Sequence, residues 1–455
     1  MRFSELDGRR VAVWGAGLET RSFARHFAEH FPGQRLVALI IEDDATAPTA
    51  ADEPELLALT DRIVRAGEAA SAFAQGEVDA LVRSPGVSIH RPEVAALRSI
   101  GAITTTATGL WLAERRGRNV IGVTATKGKS TTATLIAHLA RAAGVTTHLA
   151  GNIGEPALDL LAAPADELVV LELSSYQIAD LAQGPQTAFA ANLYREHLNW
   201  HVTDDNYREE KLRLLALPGV EHCVLGALSE EVMEAQTAPG ADLLTFGVAP
   251  GWAVTGDGIE HGCRLVIATE DLPLPGAHNA LNLCGALAAL DAHGIPLPEF
   301  PGALRGFIPL PHRLERVHES AGDVLWIDDS ISTTTESAIV AIESFPGRPI
   351  VLLGGGLDRG QDYAPLGEVL AARGATVITM PETGGRLREA ALAAGVPTEQ
   401  ALAAADLAEA VAAAREAVTP GAVVLLSPAA PSYHAYRDFK ARGEHFRTLA
   451  RGDAG

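Results

Sequence analysis

Cysteine is scarce. Cys223, Cys263 and Cys284 are the only three in 455 residues, and they stand far apart. That spacing argues against a disulfide framework and against any closely spaced cysteine metal site, and it suggests reduced thiols in a cytoplasmic protein. Aromatic residues make up 5% of a chain that is 47% hydrophobic. The cores must therefore be built from Ala, Val, Leu and Ile, which suits layered α/β architecture. Positive charge is also short: 36 Lys and Arg stand against 57 Asp and Glu, a net charge of -21. So acidic a surface argues against nonspecific nucleic-acid binding, which needs cations opposite phosphates. It still permits a small anion held by a few amides and one or two cations. No apolar run has membrane-spanning length, since "AALRSIGAITTTATGLWLAERR" is broken by Gly and Thr and ends in charge. The opening "MRFSELDGRRVAVWGAG" runs straight into a strand pattern without a signal-peptide core. No stable membrane insertion is expected.

What is present is a strand–turn–helix pattern repeated in three blocks. The length predicts roughly two to four domains. The first block carries Val11-Ala12-Val13-Trp14, a glycine turn, and helical periodicity from Ser22 to Phe31. Further strands read "LVALII" and "VDALVRSPG". The second block holds "NVIGVTAT", "ELVVLELSS" and "TAFAANLY", and the third "DVLWIDDS", "PIVLLGGG", "ATVITM" and "AVVLLSPA". Alternating strands and helices predict parallel sheets with ligands at the strands' carboxyl ends. Pro and Gly breaks near 115–118 and 306–311 mark the block boundaries.

Two glycine motifs stand at strand ends. Gly15-Ala16-Gly17-Leu18-Glu19-Thr20 half-matches a dinucleotide fingerprint, with Thr20 where a third glycine belongs and Glu42 at the distance of a ribose-binding acid. A tight turn without ligand is the plain alternative. Ser84-Pro85-Gly86 follows another strand and could line the same crevice. The second motif, Gly128-Lys129-Ser130-Thr131, resembles the tail of a phosphate-binding loop, although Val123 stands where the general pattern wants glycine. Lys129 would neutralise phosphates and Ser130 would hold magnesium.

Downstream polar residues each have two readings. Glu172 ends a strand beside that loop, as a magnesium ligand or a solvated acid. Asn192, Glu196, His197 and His201 cluster after the next strand, as a structural or metal-binding group; no cysteine lies near enough for a common zinc pattern. Lys211 falls on an amphipathic helix. Asn279 and Asn282 share a helix face and could recognise a base or ribose; the alternative is helix capping by His278 or Asn279.

The ordered set of motifs, "GKST", "GNIG", "ELSSYQ", "NLYREHLNWH", "HNALN", "LPHR" and "DDS", resembles the Mur ligases of peptidoglycan synthesis over nearly the whole chain. The family's loop, T-G-T-x-G-K-[ST]-[ST], is similar to Thr124-Ala125-Thr126-Lys127-Gly128-Lys129-Ser130-Thr131. Ala125 takes the place of its glycine, and Val123 has no role in it. The resemblance implies an α/β protein of three domains: Rossmann-like and UDP-substrate-binding over 1–116, a P-loop ATP-binding domain over 117–308, and a Rossmann-like amino-acid- and ATP-binding domain over 309–455.

It further implies ATP and two magnesium ions. Thr126, Lys127, Gly128, Lys129, Ser130, Thr131, Asn152, Asn279, Asn282, Arg313 and Asp329 would hold the nucleotide. Ser130, Glu172, His197 and a carbamylated Lys211 would hold metal, and Lys129, Glu172, His197 and Lys211 would be catalytic. Gly15, Gly17, Thr20, Arg21, Ser84, Ser174, Gln177, Arg359, Ser432 and Phe439 would bind substrates.

Within the family the chain looks most like the glutamate-adding members, whose substrates are UDP-N-acetylmuramoyl-L-alanine and glutamate. It departs from the usual D-glutamate pattern at Ile331, Arg359, Tyr194-Arg195 and Asn199. The stretches "TKGKSTT", "DSISTT" and "LLSPAAPSYHAYRD" resemble a branch that adds L-glutamate and relies on a later epimerase. The rival expectations are a D-glutamate ligase, a folylpolyglutamate-synthase-like ligase, and an NAD-linked dehydrogenase or nucleotide-binding module built on Gly15 and Glu42.

Overall fold

Strands β1 (Val11–Trp14), β2 (Ala38–Ile41), β3 (Ile63–Arg65), β4 (Ala80–Arg83) and β5 (Ile103–Thr105) form a parallel sheet in the order β3-β2-β1-β4-β5. The computed structural model describes every residue except Ala47, Ala50, Ala51, His197 and 453–455. β1 is buried along its whole length, as a strand covered on both faces must be. The connections diverge between β1 and β4, which opens a crevice at their carboxyl ends. The helix Leu18–His30 starts there with Gly17 as its N-cap. It begins before the Ser22 that periodicity suggested, because its first residue, Leu18, is exposed and adds nothing to the apolar stripe.

The second sheet comprises β6 (Val120–Thr124), β7 (Thr147–Gly151), β8 (Leu168–Glu172), β9 (Thr187–Ala190), β10 (His222–Gly226), β11 (Asp242–Gly247), β12 (Trp252–Val254), β13 (Gly258–His261) and β14 (Arg264–Ala268). Its order is β14-β13-β12-β11-β10-β9-β6-β8-β7. β6 lies between β8 and β9, so loops after all three strands converge at one edge. The β12–β13 and β13–β14 pairs are antiparallel, a departure from the all-parallel expectation. Gly262 and Cys263 both have positive φ, 57° and 63°. Two left-handed residues make the tight turn that matches strand twist in a hairpin.

The third sheet runs β15-β16-β20-β17-β18-β19. Its strands are β15 (Glu315–Ser320), β16 (Val324–Asp328), β17 (Ile350–Gly354), β18 (Thr376–Thr379), β19 (Ala401–Ala403) and β20 (Val423–Leu426). β15 is antiparallel to β16, again unlike the expectation, and the others are parallel.

The chain forms two compact bodies. One contains Met1–Leu272 and Ala280–Phe307, hence the first two sheets; the other contains Pro273–Asn279 and Ile308–Gly455. Aliphatic residues dominate the cores, but the few tryptophans are used inside: Trp14, Trp111, Trp252 and Trp326 are each at most 1% exposed. Among the described residues no helix is long and apolar enough to cross a membrane.

Candidate active site

β6 ends at Thr124, and the helix Lys129–Ala142 begins with Gly128 at its N-cap. Gly128 has φ 87°, and a Cβ there would lie 2.3 Å from Asn282 Oδ1. Backbone conformation and space both demand glycine. Ala125 lies outside the positive-φ set, so replacing glycine there brings no strain. The unpaired amides of the helix's first turn suit an anion.

Asn192, after β9, braces this loop. Its Oδ1 accepts from Lys127 N at 2.9 Å, its Nδ2 donates to the Lys127 carbonyl at 3.0 Å, and its carbonyl accepts from Thr126 N at 3.0 Å. The Thr126 hydroxyl meets Tyr207 Oη at 2.7 Å and accepts from Tyr194 N at 3.0 Å. Lys127 pairs with Glu196. Lys129 Nζ donates to the Thr126 carbonyl at 3.3 Å, which folds it over the loop. Ser130 and Thr131 sit in the helix's first turn, both buried.

Glu172 ends β8 opposite Val123 of β6, at the root of the same loop. It is fully buried. Its Oε1 accepts from Asn152 Nδ2 at 2.7 Å, and its carbonyl accepts from Asn152 N at 3.0 Å. Among the described residues its Oε2 has no hydrogen-bond partner. Lys211 lies on the helix Asp204–Leu212 and is 2% exposed. Burial pushes its amine well below the ordinary lysine range, and the Lys129 charge adds to that; Glu196 and Glu172 act the other way. Lys129, Lys211, Glu172 and Glu196 therefore share one field. His197 lies outside the described residues.

His201 does not join the group around Asn192. It is buried between Ser175 Oγ, 2.9 Å from its Nε2, and the Glu210 carboxylate at its Nδ1. Glu210 also pairs with His90 at 2.6 Å.

The glycine turn packs against the loop after β4. Gly15 has φ 88°, and a Cβ there would lie 3.0 Å from Ser84 Cβ, while one on Gly17 would lie 3.1 Å from Ser84 Oγ. Ser84 thus belongs to the crevice, as the sequence suggested. Thr20 is buried, its hydroxyl donating to the Gly17 carbonyl at 3.0 Å. Arg21 forms a bidentate pair with Glu53. Glu42 pairs with Arg91 at 2.6 Å and accepts from Trp14 Nε1 at 3.2 Å. Ser174 and Gln177 form a reciprocal helix cap, and Gln177 Nε2 donates to Glu19 Oε1 at 2.6 Å.

Sequence reasoning missed Arg83. It is fully buried and reaches from the first sheet to the second, giving Asp180 two hydrogen bonds of 2.8 Å and the Tyr176 carbonyl one of 2.7 Å. The only available signal was an arginine ending an otherwise apolar strand.

In the second body, Asn279 lies in the first turn of the helix Ala277–Ala292, and its Nδ2 donates to the Pro275 carbonyl at 2.7 Å. Asn282 belongs to the first body, beside Gly128. Burial pushes the His278 imidazole down to about 4, helped by the Arg313 charge. Asp329 accepts from Ser427 Oγ at 2.8 Å and Leu314 N at 3.2 Å, and burial pushes its carboxyl up to about 7. Arg359 is exposed in the loop after β17. Ser432 is buried in the segment after β20. Phe439 opens the helix Phe439–Arg451, and its carbonyl accepts from Ser330 Oγ at 2.8 Å. Arg442, another missed residue, is 3% exposed and ties Ser330 to the Ala430 carbonyl.

A glycine–lysine loop at a helix N-terminus, with a buried strand-end carboxylate and a buried lysine beside it, suits an ATP-dependent ligase, and the chain belongs to the Mur ligase family. Residues 123–290 match the Mur ligase middle domain, and residues 312–430 match the Mur ligase, glutamate ligase domain. The relatives narrow this further. A protein of Xylella fastidiosa named UDP-N-acetylmuramoyl-L-alanine–L-glutamate ligase is 40% identical over 99% of this chain and 97% of its own length. One of Micromonospora with the same name is 40% identical over 100% of this chain and 99% of its own. In fold, the chain is similar to UDP-N-acetylmuramate-alanine ligase from Thermotoga maritima, at TM-score 0.61 and 17% identity, covering 98% of this chain and 100% of that one. The protein is thus an ATP-dependent amino-acid ligase of peptidoglycan synthesis.

Proposed function

We propose that the chain joins L-glutamate to UDP-N-acetylmuramoyl-L-alanine, with ATP giving ADP and phosphate, and that it does so in the cytoplasm. The two relatives named for that reaction, each 40% identical over essentially the whole chain, support the substrate pair. The observation that carries the chemistry is Glu172 Oε2, buried and without a hydrogen-bond partner among the described residues, at the root of a phosphate loop. A buried carboxylate oxygen left open costs about 1–3 kcal/mol or more. A divalent cation would supply the missing partner, so the residues fit magnesium.

Bound magnesium would screen phosphate charge during transfer. Lys129 and the amides near Gly128 would hold the ATP phosphates, with Thr126, Lys127, Ser130 and Thr131 around them. Ser130, Glu172, His197 and Lys211 would hold two ions. Lys211 fits a carbamate because its amine is disposed to be neutral; addition of carbon dioxide to that amine releases a proton and leaves a carboxylate-like ligand. Asn152 would orient Glu172 beside the transferred phosphoryl. Asn282, with Asn279, Arg313 and Asp329, would hold the nucleotide. Gly15, Gly17, Thr20, Arg21, Ser84, Ser174 and Gln177 would hold the UDP-sugar, and Arg359, Ser432 and Phe439 the incoming amino acid. The domains in this reading are 1–116, binding the UDP-substrate, 117–308, binding ATP, and 309–455, binding the amino acid and ATP.

In the reaction, the terminal carboxylate of the UDP-sugar substrate takes the γ-phosphoryl group and becomes an acyl phosphate. The glutamate amine attacks its carbonyl, and phosphate leaves as the amide forms. An epimerase acting on that product would then set its final configuration. The test is phosphate release with UDP-N-acetylmuramoyl-L-alanine, Mg-ATP and either glutamate enantiomer, with mass detection of product. Turnover with L-glutamate alone is expected. Turnover with D-glutamate alone overturns the stereochemical reading.

A further inference from the structure

The carboxyl edge of the third sheet contains two more buried polar atoms without hydrogen-bond partners among the described residues. β16, β20 and β17 are adjacent and parallel, so the loops after them emerge together. Ser332 follows β16 and is 3% exposed, and among the described residues its Oγ has no hydrogen-bond partner. Gln361 follows β17, and its Oε1 is likewise buried and unpartnered among the described residues. The two side chains share one neighbourhood, because Gln361 Nε2 donates to the carbonyl of Thr333 at 2.6 Å. That contact fixes the amide's orientation. A carbonyl can only accept, so nitrogen must face it, and the open atom is oxygen, which needs a donor.

The loops after β17 and β20 are tied to each other. Gly356 has φ 153°, and a Cβ there would lie 2.3 Å from the Pro431 carbonyl oxygen. Leu357 N donates to that same carbonyl at 2.9 Å, which presses the loop after β17 onto the loop after β20. The Gln361 backbone carbonyl is held by Arg386, itself paired with Asp358 at 2.7 Å.

We infer that Gln361 and Ser332 read the configuration of the incoming amino acid; this rests on the L-glutamate ligase reading above. Gln361 Oε1 accepts an N–H of the amine. Ser332 Oγ donates to the α-carboxylate. With the side-chain carboxylate drawn toward the exposed Arg359, three substituents of one stereocentre are fixed, and the mirror image satisfies two of them at most. Glutamate is matched by these atoms because it presents one donor group and two acceptor groups.

The experiment measures kcat/KM for L- and D-glutamate in the full-length protein, in Ser332→Ala and in Gln361→Ala, together with KM for ATP and thermal unfolding. Each variant is expected to raise the L-glutamate KM about tenfold, the equivalent of one lost hydrogen bond. The L-to-D ratio should shrink by a similar factor while the ATP KM stays unchanged. If Gln361→Ala fails to fold, Ser332→Ala decides alone. An unchanged L-to-D ratio in a folded variant overturns the inference and leaves the ligase reading standing. If the unmodified protein uses neither enantiomer, the ligase reading fails first.

Discussion

Asn152 reaches Glu172 twice: its side-chain amide holds one carboxylate oxygen at 2.7 Å and its backbone N–H the main-chain carbonyl at 3.0 Å, while the other carboxylate oxygen has no hydrogen-bond partner among the described residues. A buried, half-satisfied carboxylate is costly, and the magnesium proposed above would supply its missing partner. Glu172→Gln should therefore lower turnover by about 100-fold or more, the scale of losing a key electrostatic group. Its melting temperature should match or exceed that of the unmodified protein. Phosphate release and thermal unfolding on the same preparation check both; a large loss of stability would make Glu172 a structural residue.

Gly128 and Asn282 form a second pair whose geometry can be tested. Gly128→Ala meets a strained φ of 87° and an oxygen 2.3 Å from the new Cβ, so it should destabilise the protein by about 1–2 kcal/mol or more and impair ATP binding. Adding Asn282→Ala removes the clash but not the backbone strain. The double variant should recover part of the stability and none of the ATP affinity, read by denaturant unfolding and nucleotide titration. Strict additivity would show that the clash is relieved elsewhere.

Lys211→Ala should nearly abolish turnover, and a small added carboxylate such as acetate should restore part of it. Full activity in the variant would remove any carbamate role. Because the Lys129 charge helps hold the Lys211 amine neutral, replacing Lys129 with Ala should also raise the affinity of Lys211 for a proton.

The second body should lose stability as pH rises. Asp328 accepts from His312 at 2.7 Å and raises that imidazole above its ordinary 6.5. The folded state thus holds this proton more tightly than the unfolded chain. The stabilisation is complete below about 6.5 and disappears as pH climbs through the raised folded value. Asp329 acts over a lower window. Burial moves it from 3.8 up to about 7, so between those values the folded chain binds a proton that the unfolded chain has lost, and stability again falls as pH rises. Asp329→Asn should flatten the melting-temperature profile between about pH 4 and 7, while His312→Asn flattens it above that range.

Arg83→Leu should destabilise the first body by about 3–5 kcal/mol, because Asp180 would be left as a buried, unpaired charge. Arg83→Leu combined with Asp180→Leu should regain most of the loss. Denaturant melts of the single and double variants settle it.

Local chemistry made the site partly legible in sequence. The strand before Gly128-Lys129-Ser130 and the strand-end position of Glu172 follow from apolar runs and a helix start, both short-range signals. The antiparallel strands β12 to β14 were missed because their signal is turn geometry at Gly262 and Cys263, not periodicity. The Arg83–Asp180 bridge spans 97 positions, and no spacing rule predicts a contact that the packing of two sheets creates. Nor does any one-dimensional pattern reveal an orphaned atom. Ser332, Gln361 and Glu172 differ from ordinary polar residues only in what surrounds them after folding.

The hairpin turn between β13 and β14 gives this chain a chemical handle. Cys263 stands exposed on that turn, whereas Cys223 and Cys284 are buried, their thiols pushed up to about 11 by burial. A thiolate-seeking dye added to the folded protein should attach at one point. The same dye under denaturing conditions should attach at three, so its stoichiometry counts unfolded molecules without any engineered residue.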